Sequence, residues 1–116
     1  MIRKWKIING RYKEFLGYLY YNTETEEFIV EMLDDYTGLH PDSFMYELGV
    51  VQGKKWIEGH LADSYIKARV IPPNRQALSQ ALKDMGLTKY SVIDMLDKTH
   101  GYCQMDYNYF EEITNK

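Results

Sequence analysis

The N-terminal third of the chain carries the hydrophobic and polar patterns of β-strands. Residues 5–10 end in Asn-Gly, a dipeptide typical of tight hairpin turns because both residues tolerate positive φ. An aromatic-rich stretch follows over 11–21, a turn is expected over 22–25, and residues 27–33 alternate between two faces. These segments predict a three-stranded antiparallel meander. Neither of its faces is cleanly polar, so we expect one face to pack on helices and the other to be partly covered.

A helical period replaces the strand period from residue 54 onward and predicts three short helices. Residues 34–53 precede them and are punctuated by Gly and Pro; a short helix and an added short strand are expected there. The apolar positions of the three helices are, in chain order, Ile57, Leu61, Tyr65 and Ala68; Leu78, Ala81, Leu82 and Met85; and Val92, Met95 and Leu96.

Residues suited to helix ends bound these three patterns. Gly59 interrupts the first, which gives that helix an alternative start at Asp63, a good N-cap residue. Gly86 lies where a C′ glycine ends the second helix. Ser91 resembles the first residue of a capping box, and the third helix is expected to stop near Gly101.

The last stretch, over residues 102–113, alternates again and predicts a strand that returns to the sheet. The fold class predicted is therefore α+β, with an N-terminal antiparallel meander packed on a C-terminal helical cluster. A chain of 116 residues is the length of one domain. We expect a single domain over 1–116, with a strand-rich acidic half (1–53) and a helical half (54–116).

Charge is strongly segregated although the formal net charge is only −3. Residues 1–13 hold five basic residues and no acid, whereas residues 14–53 hold nine acids and no Lys or Arg. One interpretation is a solvated acidic face. The other is an acidic surface that meets a basic partner, in the manner of a nucleic-acid mimic. Direct nucleic-acid binding by this half is not expected, because phosphate contacts need Lys and Arg.

Tyrosine is used heavily, with 11 residues in the chain. Tyrosine suits strands and cores, and it is also enriched at protein interfaces because it combines a large apolar area with a polar tip. Acids and tyrosines together predict a protein-binding surface in the acidic half. Its candidate residues are Tyr20, Tyr21, Glu24, Glu26, Glu27, Asp34, Asp35 and Tyr36.

Candidate catalytic and metal-binding chemistry is sparse. His40, His60 and His100 lie far apart in sequence, and no paired ligands at zinc spacing occur. The lone Cys103 excludes an intrachain disulfide, fits a reducing cytoplasm, and is expected to be a small buried hydrophobe rather than a nucleophile. Phosphate-binding and nucleophile motifs are missing. We therefore expect no enzyme activity, no metal and no cofactor.

Hydropathy predicts neither a membrane span nor a secretory signal. No apolar run approaches the roughly 20 residues that cross a bilayer, and the basic N-terminus is not followed by an apolar segment. The expected location is the cytoplasm.

The second and third predicted helices also permit a helix-turn-helix interpretation. The second helix of such a pair would read DNA, and here it offers two acids and one lysine, Asp94, Asp97 and Lys98. These residues are poorly suited to a phosphate-lined major groove. A packing role for the pair is favoured.

The C-terminal half carries a distinctive set of motifs. Arg-Val-Ile-Pro-Pro-Asn-Arg-Gln spans 69–76, Gly-Leu-Thr-Lys-Tyr spans 86–90, and Gly-Tyr-Cys-Gln-Met-Asp-Tyr spans 101–107. Together they resemble a family of small uncharacterised proteins of gut Firmicutes and their mobile elements. More distantly they resemble a segment that precedes HipA-like serine/threonine kinase domains. The closing motif departs from the family pattern, since Met105 leaves Asp106 as the single acid of a usual pair. The resemblance implies a lineage and no phosphoryl transfer, because kinase motifs are missing.

Two arginines flank a rigid proline elbow at 72–73 in the first motif. In the structural interpretation Arg69 and Arg75 pair with carboxylates, with Asp97 and Asp106 as candidates, and tie helix ends to the last strand. In the functional interpretation an exposed anion site is formed by Arg69, Arg75, Gln76 and Tyr90.

The predicted function is that of a non-catalytic accessory protein of a mobile element that binds another protein. One alternative is an acidic decoy that inhibits a host defence nuclease. The other is a DNA-binding regulator that uses the helix pair.

Overall fold

Five antiparallel strands form one sheet in the order β4-β3-β2-β1-β5. The computed structural model describes residues 1–11, 13–33, 48, 51–70, 76–102 and 108–113. Its elements are β1 (Ile2–Asn9), β2 (Glu14–Asn22), β3 (Glu27–Met32), β4 (Trp56–Ile57), α1 (His60–Lys67), α2 (Leu78–Asp84), α3 (Val92–Thr99) and β5 (Asn108–Glu112). The predicted α+β class is confirmed, and β5 returns to the sheet beside β1 as expected.

The first hairpin differs from the tight Asn-Gly turn predicted for it. Asn9 is the last residue of β1 and pairs with Glu14, so the loop runs over residues 10–13. The side-chain oxygen Oδ1 of Asn9 accepts the backbone N–H of Arg11 at 3.0 Å, and Lys13 has a positive φ of 57°. The prediction of a two-residue turn is therefore wrong. Asn9 is buried and aligned with Asn108 of β5, which keeps it in the ladder.

The second hairpin repeats this loop design. Asn22 ends β2 and its side chain accepts the backbone N–H groups of Glu24 and Thr25 at 2.9 and 3.2 Å. Glu26 then has a positive φ of 59°. The turn expected over 22–25 is present, and an asparagine side chain organises both loops.

One side of the sheet, here called the inner face, packs against α1 and α3. Its strand residues share one core cluster with Ala62, Tyr65 and Ile66 of α1 and with Leu96 of α3. The strand members of the inner face are Trp5, Ile7, Leu16, Leu19, Tyr21, Phe28, Val30, Met32, Ile57 and Phe110. Alternation along each strand produces this face, because successive side chains point to opposite sides.

A bulge in β2 brings its backbone close to β3. The register of β1 with β2 shifts between Ile7 and Ile8, opposite Gly17 and Phe15. A Cβ at Gly17 would clash with the carbonyl oxygen of Glu31, so only glycine fits this crossing point.

The start of α3 and the ends of α2 and α3 lie close to the predicted capping residues, whereas α1 begins at His60 after Gly59 and not at the alternative start Asp63. Ile57, expected in a helix, lies in β4 opposite Val30, because Gly59 (φ 63°) separates it from α1. Ser91 caps α3, where its Oγ accepts the N–H of Asp94 at 3.3 Å. Positive φ at Gly86 follows the end of α2. Much of the 34–53 region and of the 102–113 stretch, Cys103 included, lies outside the described residues.

Among the described helices, none has the length and apolar character needed to cross a membrane.

Candidate functional site

The side of the sheet opposite the core, here called the outer face, carries aromatic rings and lysines. None of its residues is buried, although all lie on regular strands. Its members are Lys4, Lys6 and Ile8 of β1; Phe15, Tyr18 and Tyr20 of β2; Ile29 and Glu31 of β3; Trp56 of β4; and Tyr109 and Glu111 of β5. A sheet face that is aromatic and half exposed over several strands is unusual for a surface with no role in binding.

Neighbouring rings on the outer face contact one another in a row. Phe15 meets Tyr18 edge-on with ring centres 5.2 Å apart, and Tyr18 lies 6.3 Å from Tyr20. Tyr20 lies 6.2 Å from Trp56, whose side chain at the sheet edge is 50% exposed. The row therefore crosses from β2 to the edge strand β4 and leaves its largest ring open to solvent.

Lysines of β1 lie over these rings because strand register places them opposite. Lys4 pairs with Tyr20 and Lys6 with Tyr18. The Lys4 Nζ atom lies 4.0 Å from the centre of the Tyr18 ring, a cation–π geometry. Lys6 lies over Phe15 at 5.5 Å. Neither lysine has a carboxylate within 4.0 Å among the described residues, so both positive charges are available to a partner.

Glu31 is the acid that lies among the rings, and its charge is engaged. It accepts the Tyr20 hydroxyl at 2.6 Å and lies 3.9 Å from the Lys55 ammonium group. Burial, followed by this hydrogen bond, raises the pKa of Tyr20 well above the ordinary tyrosine value. The Tyr20 ring is thereby held in place as a neutral donor.

Arg3 joins β1, β5 and α3 at the margin of the inner face. Its guanidinium donates to Asp97 at 2.8 and 3.1 Å and to Glu112 at 2.8 Å, and it lies over the Trp5 ring. These hydrogen bonds, the ones donated to Glu112 first, raise the pKa of Arg3 further above its usual range. Asp97, a predicted partner of Arg69, thus binds Arg3.

Arg69 is buried between α1 and the last strand. Its guanidinium donates to the carbonyl oxygens of Gly101 at 2.6 Å and Asn108 at 3.4 Å. It also lies over the rings of Tyr65 at 4.4 Å and Phe110 at 5.2 Å. Arg69 therefore ties the end of α1 to the start of β5, and its burial removes it from any exposed anion site.

The acidic tyrosine-rich set predicted from the sequence is distributed over several places. Tyr20 lies on the outer face and Tyr21 on the inner face, since adjacent strand residues point to opposite sides. Glu24 and Glu26 are exposed in the second hairpin loop, and Glu27 is exposed at the start of β3. Asp34, Asp35 and Tyr36 lie outside the described residues.

The residues of the predicted elbow site also separate. Gln76 is exposed ahead of α2, and Tyr90 lines a cavity with Tyr21 and Glu26. Arg75 and Asp106 lie outside the described residues. The structure thus brings together one tyrosine of the elbow set and two residues of the acidic set, on the helical side of the molecule.

Other candidate chemistry finds little support in the described chain. No group of three or more metal-ligating side chains occurs within its described ranges. In the helix-turn-helix interpretation, α3 would read DNA with Asp94, Asp97 and Lys98, and Asp97 is engaged by Arg3. That interpretation and the nuclease-decoy interpretation stay predictions.

Sequence reasoning missed the outer-face residues Lys4, Lys6, Phe15, Tyr18 and Trp56 as a set. The signal was the period of two: in β1 the lysines alternate with inner residues, and in β2 the tyrosines alternate with a leucine. Trp56 carried no such signal, because its two-residue strand lies within a stretch assigned to a helix.

No family model matches the chain, and no match was found among curated proteins or solved structures.

Proposed function

We propose that this protein is a non-catalytic binding protein whose outer face engages an acidic segment of another protein. The observation that carries the proposal is the row of rings from Phe15 to Trp56, partly exposed along β2 and 50% exposed at Trp56, with Lys4 and Lys6 beside it. The family resemblance and the mobile-element lineage that it implies belong to the same proposal.

The rings supply the binding energy in this proposal. Tryptophan and tyrosine dominate the residues whose truncation weakens protein interfaces, because they bury much area with few rotatable bonds. Trp56 is half exposed and packs on Tyr20, whose hydroxyl is anchored on Glu31. Side chains already held in place lose little conformational entropy on association.

The lysines determine which sign of charge the partner should carry. Glu31 is engaged by Tyr20 and Lys55, whereas the Lys4 and Lys6 ammonium groups have no carboxylate within 4.0 Å in the described part of the chain. Lys4 and Lys6 lie directly over the rings, whereas the second acid of the outer face, Glu111, lies on the β5 side of Lys6, so the charge next to the rings favours an acidic segment. This differs from the sequence-based expectation of an acidic, tyrosine-rich surface that meets a basic partner and whose described acids are Glu24, Glu26 and Glu27. The experiment below separates the two.

The test compares matched variants of the whole protein as baits in host lysate, with bound proteins quantified by mass spectrometry. The outer-face variants are Trp56→Ala and Lys4→Glu; the acidic-loop variant is Glu24→Lys; and the control is Leu61→Ala, an exposed apolar position on α1. We expect a partner that wild type, Leu61→Ala and Glu24→Lys retain and that both outer-face variants lose. In purified form, Trp56→Ala should weaken Kd by about 30-fold, as for a residue central to an interface.

Loss of the partner with Glu24→Lys, and its retention with Trp56→Ala, would place the interface on the acidic loop. Binding of single-stranded DNA at physiological salt, lost in Lys4→Glu, would replace the protein partner by a nucleic acid. A dimer that Trp56→Ala dissociates would identify the occupant as a second copy of this chain.

A further inference from the structure

A cavity of about 440 Å³ lies on the helical side of the molecule, away from the outer face. Its walls come from the second hairpin, α1 and the segment that leads into α3. Cavities of roughly 300–1,000 Å³ are the size that small ligands occupy in proteins. Walls from three separate parts of the chain mean that the fold as a whole, rather than one loop, shapes this space.

The floor of the cavity is apolar and rigid. Phe28 and Ile66 belong to the packed core, with exposures of 6% and 1%, and Val92 at the start of α3 packs against the same cluster. A floor made of core side chains changes little when a ligand enters, so it offers a preformed surface for an apolar group.

The rim of the cavity carries both signs of charge. Glu26 and Asp63 contribute two carboxylates, and Lys67 and Lys89 contribute two ammonium groups. Within the described residues none of these four side chains takes part in an ion pair within 4.0 Å. Charges of both signs around one cavity complement a ligand that also carries both signs.

Two tyrosine side chains add neutral polar groups to the walls. Burial, together with the nearby Glu26 charge, raises the pKa of Tyr21, and burial raises the pKa of Tyr90. A tyrosine is already neutral at physiological pH, and these shifts keep both phenols neutral.

We propose that this cavity binds a small zwitterion with a large apolar body, of the size and chemistry of a free aromatic or branched amino acid. The apolar body lies on the partly exposed Val92 and Ile93, which pack over the core that holds Phe28 and Ile66. The ammonium group faces the carboxylates of Glu26 and Asp63, and the carboxylate faces Lys67 and Lys89. This proposal is independent of the outer-face interface, which uses other residues.

The experiment titrates wild-type protein with L-phenylalanine and follows binding by backbone amide chemical shifts and calorimetry. The matched probes are 2-phenylethylamine and 3-phenylpropionate, which each lack one charge, and glycine, which lacks the apolar body. We expect L-phenylalanine to shift the amides of residues 63–67 and 89–93. Each matched probe should bind about tenfold more weakly or not at all, because it lacks the ammonium group, the carboxylate or the apolar body and so loses one of the three proposed contacts.

Two rim variants and one control locate the site. Lys67→Gln and Glu26→Gln should each weaken the binding of L-phenylalanine about three- to fivefold, because each removes one exposed charge contact. Lys83→Gln, an exposed lysine of α2 that does not line the cavity, should bind as wild type does. All three positions are on the surface or rim, so folding is checked by the unchanged remainder of the amide spectrum.

No amide shift with L-phenylalanine up to about 10 mM would overturn the proposal. So would equal binding of the singly charged probes, which would show an apolar pocket without charge selection. Shifts that map to the outer face, or rim variants that bind like wild type, would place the ligand elsewhere.

Discussion

The two faces of the sheet use the same strands and neighbouring residues, yet they have different physical roles. On the inner face Ile7, Leu19 and Val30 are completely buried against the helices. On the outer face no residue is buried, and Trp56 is 50% exposed. Stability therefore depends mainly on the inner face, while the outer face keeps aromatic area that association can bury.

The same contrast separates the two places where a cation lies over aromatic rings. Arg69 is buried over Tyr65 and Phe110, with its N–H groups directed at backbone carbonyls. Lys4 is half exposed over Tyr18 and Tyr20. Such a contact is worth more when water is excluded, so the buried cation stabilises the fold and the exposed one remains free to meet a partner.

The largest expected effect comes from truncating adjacent residues on opposite faces. Leu19→Ala should lower the free energy of unfolding by about 3 kcal/mol, because it leaves a cavity in the packed core. Tyr18→Ala should lower it by about 1 kcal/mol, because its ring is half exposed. Urea denaturation of both variants measures the difference. If Leu19→Ala does not fold, Ile7→Val, expected to cost about 1 kcal/mol, tests the inner face. Equal losses at positions 18 and 19 would contradict the assignment of faces.

A second pair of variants compares the two cations. Arg69→Met keeps much of the side-chain volume and removes the donors to Gly101 and Asn108; it should cost about 2–3 kcal/mol. Lys4→Met should cost about 0.5 kcal/mol. Thermal and urea unfolding of both proteins test this. An unchanged melting temperature for Arg69→Met would show that the buried guanidinium does not hold α1 to β5.

The smallest effect concerns the hydroxyl that anchors the outer-face rings. Tyr20→Phe should cost about 1 kcal/mol at neutral pH through loss of the hydrogen bond to Glu31. The pKa of Tyr20 is raised in the folded state, so its contribution is present below the unfolded value of about 10 and is lost as pH rises above it. The variant should therefore lose less stability than wild type on going from pH 9 to about pH 11.

Tyr18→Phe is the matched control, since the Tyr18 hydroxyl has no hydrogen-bond partner among the described residues. It should change the alkaline loss of stability much less than Tyr20→Phe does, because the charge on Tyr18 is the smallest of the causes that raise the pKa of Tyr20. A steeper loss in Tyr20→Phe than in wild type would contradict the role assigned to the Glu31 hydrogen bond.

Most of the fold could be predicted from local pattern, and most of the site could not. The meander, the cap at Ser91, the end of α2 near Gly86 and the returning strand all follow from short-range periodicity and capping chemistry. The exact turn at Asn9 could not be predicted in this way. Asn9 pairs with Asn108 of β5, and this pairing competes with the turn geometry that Asn-Gly favours in isolation.

The candidate surface shows why composition misleads. Tyr20 and Tyr21 are adjacent and were grouped with nearby acids, but a strand directs them to opposite sides of the sheet. Lys4 lies in the basic segment 1–13, and Tyr18 lies 14 residues later in the acidic segment 14–53. Antiparallel register nevertheless brings the Lys4 Nζ atom to 4.0 Å from the centre of the Tyr18 ring. Proximity along the chain is thus a poor guide to a site built across strands.

The sequence by itself determined most of the strands and helices, β4 and the first turn excepted, because hydrophobic period, capping residues and glycine positions act over a few residues. It also determined the α+β class, since a strand-rich half followed by helices and a last strand leaves few ways to bury the apolar faces. Only the tertiary structure decided which rings and lysines share the outer face and which carboxylates bind Arg3. It likewise brought Glu26, Lys67 and Tyr90 around one cavity. These juxtapositions depend on strand register and helix packing, which are set by contacts between residues far apart in the chain.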